Sequence, residues 1–232
     1  MRFEVVDGKL NIVQGETTII SDITAYMEYP GTHYDVLTRA ASGGWSADNQ
    51  TASCENMQME IREMWNGFMV RTTFINTGDD INKPGRFVCF SGNTGQTIDL
   101  ALSNRYIQCP GTNKICEMQS LIDTVHTVYN AIYESADHTA FQTEEGNSYI
   151  FGVATYKRYF SGVTFMREGR IAGHCFTETH RLNRGDSCTS EWFLFSQAEN
   201  CVNGLEQFSR IVAETIQRFR LMLQRWLQQA VF

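Results

Sequence analysis

Proline is scarce in this chain, with three residues in 232, at positions 30, 84 and 110. Each sits where a strand would end or a loop would run, so a missing N–H does no harm there. Positive charge is also short. Nineteen Lys and Arg stand against 26 Asp and Glu, a net charge of −7, and an acidic surface repels phosphate backbones. That argues against nucleic acid as a partner. No run approaches the roughly 18 apolar residues of a membrane helix, which argues against a membrane span. The first residues, MRFEVVDGKLNIV, alternate like a strand and lack the apolar core of a secretory leader. The seven cysteines are odd in number and include no C-x-x-C pair. Reduced thiols in a cytoplasmic protein are therefore expected, rather than a disulfide framework. The Asn49-Gln50-Thr51 sequon is then read as chance.

What is abundant is strand signal. Val5-Val6-Asp7-Gly8-Lys9-Leu10 is a two-residue Asp-Gly hairpin. Alternation recurs from Asp22 to Tyr29 and stops at Pro30-Gly31. It recurs again through residues 57 to 76, with an expected turn at Asn66-Gly67. Phe87–Phe90, Thr97–Leu102, Tyr106–Gln108, the aromatic stretch 148–176 and Cys188–Ser196 are further candidates. Ten to fourteen short strands at this spacing predict a mainly β fold, a large antiparallel sandwich occupying residues 1–202. Leu121, Ile122, Val125, Val128, Tyr129 and Ile132 fall at helical spacing, yet their β-branched and aromatic content also suits a strand, so residues 118–134 stay open between the two.

The end of the chain differs. Leu205, Phe208, Val212, Thr215, Phe219, Met222 and Trp226 step by three and four, the stripe of an amphipathic helix opening at Asn203-Gly204. A helix from there to Gln229 is about 38 Å long, more than a lone β domain asks for. The apolar stop at Ala230-Val231-Phe232 adds the expectation that the polypeptide is cut short there. Residues 203–232 are expected to be a separate helical segment, its stripe packing on the sandwich or on a second copy.

Candidate chemistry is thin. On one strand His174, Phe176, Glu178 and His180 share a face, with Glu178 and His180 about 7 Å apart. That makes His174, Glu178 and His180 weak metal candidates against a half-exposed polar strand face; no metal and no cofactor are expected. Cys175 adjoins His174 and so points the other way, which argues against a Cys–His dyad. Ser91–Thr97 (SGNTGQT) lacks the lysine and helix of a phosphate loop and reads as a hairpin turn. Arg184-Gly185-Asp186 reads as a turn. The pairs Asp79-Asp80 and Glu144-Glu145 read as solvated, without cause for raised pKa values. The loop Ala41–Thr51 is more suggestive. Trp45 beside Asp48 and Asn49 offers a ring face and hydroxyl partners for a sugar, against the alternative of Trp45 folding back on the sandwich. No residue is assigned a catalytic role.

Three segments carry a family resemblance: YIFGVATYKRYFSGVTF (149–165), RIAGHCFTETHRLNRGDSCTSEWFLFS (170–196), and QAENCVNGLEQFSRIVAETI (197–216) opening the helix. With VRTTFINTGDD (70–80), their order resembles the end of the N-terminal β-supersandwich of glycoside hydrolase family 36, the α-galactosidase-like clan. The family's aromatic N-terminal segment has no clear copy here. The resemblance implies a galactose mutarotase-like sandwich followed by a helix that leads to a catalytic (β/α)8 barrel. It implies an accessory role in a glycosidase: supporting the barrel and shaping one wall of a galactoside site, with the catalytic aspartates on the barrel and homo-oligomers as a further expectation. A stand-alone carbohydrate-binding module around Trp45, and a mutarotase-type isomerase using His174, Glu178 and His180, are the alternatives.

Overall fold

The first hairpin shows local chemistry setting register. In the computed structural model, β1 (Arg2–Val6) and β2 (Lys9–Gln14) pair antiparallel with Val6 opposite Lys9. Asp7 and Gly8 are left as the turn, with φ of 51° and 77°. Two successive positive φ values are what the twist of a tight hairpin requires. The structure describes residues 1–31, 35–64, 66–94, 104–109, 114–117, 132–135, 138–143, 148–166, 169–177 and 181–230.

β3 (Thr17–Pro30) begins five residues before the expected alternation. Its register against its neighbours shifts around Asp22, which has a φ of 53° and donates its N–H to Asn11 Oδ1 at 3.1 Å. A bulge resets the alternation, so the pattern read from sequence starts only beyond it. β4 (Val36–Ala40) pairs with the end of β3, and β5 (Ser46–Asp48) and β6 (Thr51–Ser53) form a short hairpin. β7 (Met57–Met64) and β8 (Gly67–Ile75) follow, with Met64 opposite Gly67. Gly67 is therefore a strand residue, which corrects the Asn66-Gly67 turn. A Cβ at Gly67 would overlap the Phe195 carbonyl oxygen, so this glycine serves a close backbone approach instead.

β9 (Arg86–Asn93) runs through Ser91, Gly92 and Asn93, so the first half of the expected Ser91–Thr97 turn is strand. β10 (Asn104–Cys109), β11 (Lys114–Glu117), β12 (Ile132–Ser135), β13 (His138–Thr143) and β14 (Ser148–Val153) come next. Ile132 thus opens a strand. The rest of the ambiguous segment, the Thr97–Leu102 candidate and Glu144-Glu145 lie outside the described residues. β15 (Phe160–Met166) and β16 (Arg170–Phe176) make the next hairpin. The expected strand Cys188–Ser196 is two strands, β17 (Ser187–Thr189) and β18 (Phe193–Ala198), both paired to β8. Thr189 lies opposite Thr73 and Phe193 opposite Val70, so one extra residue is accommodated between them.

The result is two antiparallel sheets. One has the order β1-β2-β3-β9-β16-β15-β12 with β4 alongside β3; the other runs β11-β10-β13-β14-β18-β8-β7-β6-β5 with β17 on β8. Their facing sides form the main core. Leu10, Ile12, Ile23, Met27, Phe87 and Ile171 come from the first sheet, and Met57, Met59, Phe68, Phe74, Phe151 and Phe193 from the second. Phe68 stacks on Phe195 at 5.4 Å, and Phe151 lies 6.0 Å from Phe90 and 6.2 Å from Phe193. Burying each such ring stabilises the fold by about 1.5–3 kcal/mol. Thr72, inside this core, donates its hydroxyl to the Cys89 carbonyl and ties the sheets together. Cys89 lies beside the register shift at Gly173/His174 between β16 and β9.

A helix, α1 (Cys201–Ala230), adds a third layer. Asn200 caps it by accepting the Asn203 N–H at 2.9 Å, so it starts two residues before the expected Asn203. Phe208, with Leu205, Ile211 and Val212 partly buried, packs on Ala140, Ile150, Ala154, Leu194 and Ala198 of the second sheet. The first half of the predicted stripe is thus seated; the side chains of Phe219, Met222 and Trp226 lie outside the described residues. Helix cover also explains the unbroken apolar runs. Phe151, Val153, Phe193 and Phe195 face the other sheet, while Ile150, Leu194 and Ala198 face the helix.

Candidate functional site

Among the described residues, a cavity of about 390 Å³ opens beside β17. It is lined by Pro84, Tyr159, Thr177, Arg181, Leu182, Asp186, Ser187 and Cys188. Two loops build its rim, and buried Asn76 joins them. The Asn76 side-chain amide donates to the carbonyls of Leu182 at 2.9 Å and Asp79 at 3.0 Å, and its Oδ1 accepts from Arg39. Its backbone N–H donates to Asp186 O at 2.9 Å, and its carbonyl accepts the Gly185 N–H at 2.7 Å. Ile81 and Leu182 form a bridge below.

The carboxylates on this rim are held by donors. Asp80 accepts from Arg181 Nη2 at 2.5 Å and from the Arg184 N–H at 3.0 Å. Those hydrogen bonds, Arg181's first, keep its carboxyl below the usual range. Asp186 accepts from the Asn183 N–H at 2.8 Å and its side-chain amide at 2.9 Å, closing a turn in which Gly185 has a φ of 90°. Arg184-Gly185-Asp186 is a turn, as expected.

The inner wall is Tyr159 and Cys188, whose hydroxyl and thiol meet at 3.3 Å. Burial pushes the Cys188 thiol up to about 11, and burial, reinforced by Cys188, raises the Tyr159 phenol as well. Both are neutral near pH 7, so neither is an activated nucleophile. Thr177, just beyond β16, donates its N–H and hydroxyl to Gly85 O at 2.9 and 2.7 Å. The pocket therefore offers hydroxyls, one guanidinium and one carboxylate around apolar Pro84 and Leu182. These groups can donate to and accept from a polar ligand, and the lining carries no poised acid–base pair.

The expected site residues lie elsewhere. Trp45 is half-buried and packs against the main core, while Asp48 and Asn49 are exposed on the β5–β6 hairpin. Asn49 has a φ of 29°, and its carbonyl accepts the Phe3 N–H at 2.7 Å. His174 and Phe176 share a face, their rings perpendicular at 5.2 Å, and Thr164 Oγ1 lies 3.5 Å from His174 Nδ1. Cys175 points to the opposite side, into the core. β16 ends at Phe176, and Glu178 and His180 lie outside the described residues. Among the described residues no group of three or more His, Cys, Asp or Glu side chains is placed to hold a metal ion.

Sequence reasoning missed Tyr159, Thr177 and Glu191. The last carried a signal: a carboxylate directly ahead of the apolar run Trp192-Phe193-Leu194-Phe195.

No family model matches the chain, and no curated protein matches it. Among solved structures it is similar to a glycoside hydrolase family 36 α-galactosidase from Geobacillus stearothermophilus bound to 1-deoxygalactonojirimycin, at 10% identity and a TM-score of 0.47. That match covers 79% of this chain and 31% of the other. It is also similar to a glycoside hydrolase family 97 enzyme from Pseudoalteromonas sp. strain K8 in complex with acarbose, at 8% identity and a TM-score of 0.48, covering 85% of this chain and 34% of that one. The chain spans about a third of the length of these structures. No described helix is long and apolar enough to cross a membrane.

Proposed function

We propose that this chain is the accessory β-sandwich domain of a carbohydrate-active glycoside hydrolase of α-galactosidase type. In this reading it supports a catalytic barrel and presents the Tyr159–Asp186 cavity as one wall of a sugar site. The observation that carries the reading is the cavity's lining: hydroxyl, guanidinium and carboxylate groups around an apolar floor, with the thiol and phenol held neutral. Sugars ask for such a mixture, apolar contact for C–H faces and fixed donors and acceptors for hydroxyls. The segments that carry the family resemblance supply β14 to β18 and the opening of α1, so they build this wall and its backing. The sugar class is galactoside-like; catalysis belongs to groups on the barrel, and a homo-oligomer is part of the same proposal.

The test is calorimetric titration of the chain with methyl α-galactoside and raffinose. Binding that is lost in Asp186→Asn and weakened in Tyr159→Phe is expected, and hydrolysis by this chain alone would overturn the accessory role. A second reading, a stand-alone sugar-binding module, is favoured by Trp45 standing directly before the hairpin that carries the exposed Asp48 and Asn49. Loss of binding in Trp45→Ala alone would select it.

A further inference from the structure

Glu191 is a carboxylate only 2% exposed, at the one-residue irregularity between β17 and β18. Burying a carboxylate is costly unless donors surround it. Here the donors come from the loop before β15. Glu191 Oε1 accepts the backbone N–H groups of Lys157 at 2.9 Å, Arg158 at 2.5 Å and Tyr159 at 3.3 Å. Oε2 accepts the Thr155 hydroxyl, and Thr155 Oγ1 in turn accepts the Trp192 N–H at 2.9 Å. The Ala154 N–H donates to the Trp192 carbonyl at 2.7 Å. Three consecutive N–H groups converging on one oxygen form an anion nest, filled by the protein's own side chain.

On that loop Tyr156, Lys157 and Arg158 are exposed, while Thr155 turns inward to Glu191 and Tyr159 to Cys188 at the cavity wall. We infer that Glu191 is a positioning residue for the cavity: its carboxylate fixes residues 157–159 through their backbone and Thr155 through its hydroxyl, and so sets the Tyr159 ring as a preformed wall over Cys188. The extra residue between β17 and β18 is what diverts Glu191 from the strand ladder to the loop. Its backbone stays anchored, because the Glu191 carbonyl accepts the Ser190 hydroxyl at 2.7 Å. The inference rests on the sugar-site reading only for the identity of the ligand.

Cys188 reports on this wall, and Cys89, deep between the sheets, reports on global opening. Iodoacetamide labelling of the intact chain, mapped by mass spectrometry, compares the two. In Glu191→Ala three N–H groups lose their acceptor, and Cys188 labelling is expected to rise about tenfold or more while Cys89 stays protected. Glu191→Gln keeps one acceptor oxygen for the nest, so its rise stays within about threefold. Parallel increases at Cys188 and Cys89 would mean a purely global effect and would overturn the inference, as would unchanged labelling in Glu191→Ala. Should Glu191→Ala not fold, hydrogen exchange in the wild type decides. The amides of Lys157, Arg158 and Tyr159 are expected to exchange slowly despite their exposed side-chain neighbours, and fast exchange refutes the latch. Adding methyl α-galactoside separates the two claims: a wild-type Cys188 that the sugar does not protect contradicts the sugar reading, while the Glu191 contrast still stands or falls on its own.

Discussion

Replacing Phe208 with Ala isolates the docking of the C-terminal helix. The ring is 4% exposed and lies 4.9 Å from the His138 ring, over Gly152, where an added Cβ would come within 2.6 Å of it. Losing the ring's burial is worth about 1.5–3 kcal/mol, and the cavity left between helix and sheet adds to that. A loss of about 3 kcal/mol is therefore expected in urea unfolding. Trypsin should cut faster at exposed Arg210 in the variant, because the helix loses its largest anchor. Gly152→Ala applies the opposite stress, forcing the ring away, at about 1–3 kcal/mol. The two changes should not add: with the ring gone the new methyl group has room on that side, so the double variant is expected to be more stable than the sum predicts. Strict additivity, or a Phe208→Ala cost under about 0.5 kcal/mol, would refute the docked helix.

Other expectations come from the two interfaces and the rim. Gly173→Ala places a Cβ 2.6–2.9 Å from the Phe193 ring between the sheets, so a loss of about 1–3 kcal/mol is expected in thermal unfolding. Asn76→Ala removes the amide joining the rim loops. A loss of about 2–3 kcal/mol is expected, with weaker sugar binding; an unchanged melting curve would contradict the hub. The Cys188 thiol has its folded pKa raised from the ordinary 9.0 to about 11. Its contribution is thus fully present below pH 9 and lost as pH rises toward 11, and Cys188→Ala should flatten that alkaline limb of the stability profile. Asp80, held low by Arg181, works the other way: its small, exposed contribution is lost as pH falls below the usual carboxylate range, and Asp80→Asn should remove it.

Much of the scaffold was legible because its signals are local. Asp7-Gly8 dictates its own hairpin, and the stripe through Leu205, Phe208 and Val212 shows a helix face before any partner is known. Boundaries failed where one residue breaks the period. Asp22 at the β3 bulge hid the first part of that strand, and the extra residue near Glu191 made β17 and β18 look like one. Gly67 looked like a turn glycine because a close approach to the Phe195 backbone leaves no mark in its own neighbourhood. The cavity was illegible for a related reason. Tyr159, Thr177 and Asp186 come from separate loops, contacted over long separations by Glu191, Gly85 and Asn76 respectively, and each alone looks like an ordinary loop residue. Trp45 stood out in sequence because its neighbours are small and polar, yet its packing against the main core depends on residues far along the chain.

The cavity walled by Tyr159 and Cys188 is proposed to receive a sugar. Titrating the isotope-labelled chain with methyl α-galactoside and following its backbone amides tests this most directly. Saturable shifts concentrated at Tyr159, Thr177, Arg181 and Asp186 are expected; shifts confined to residues 45–49, or none at saturating sugar, would refute it.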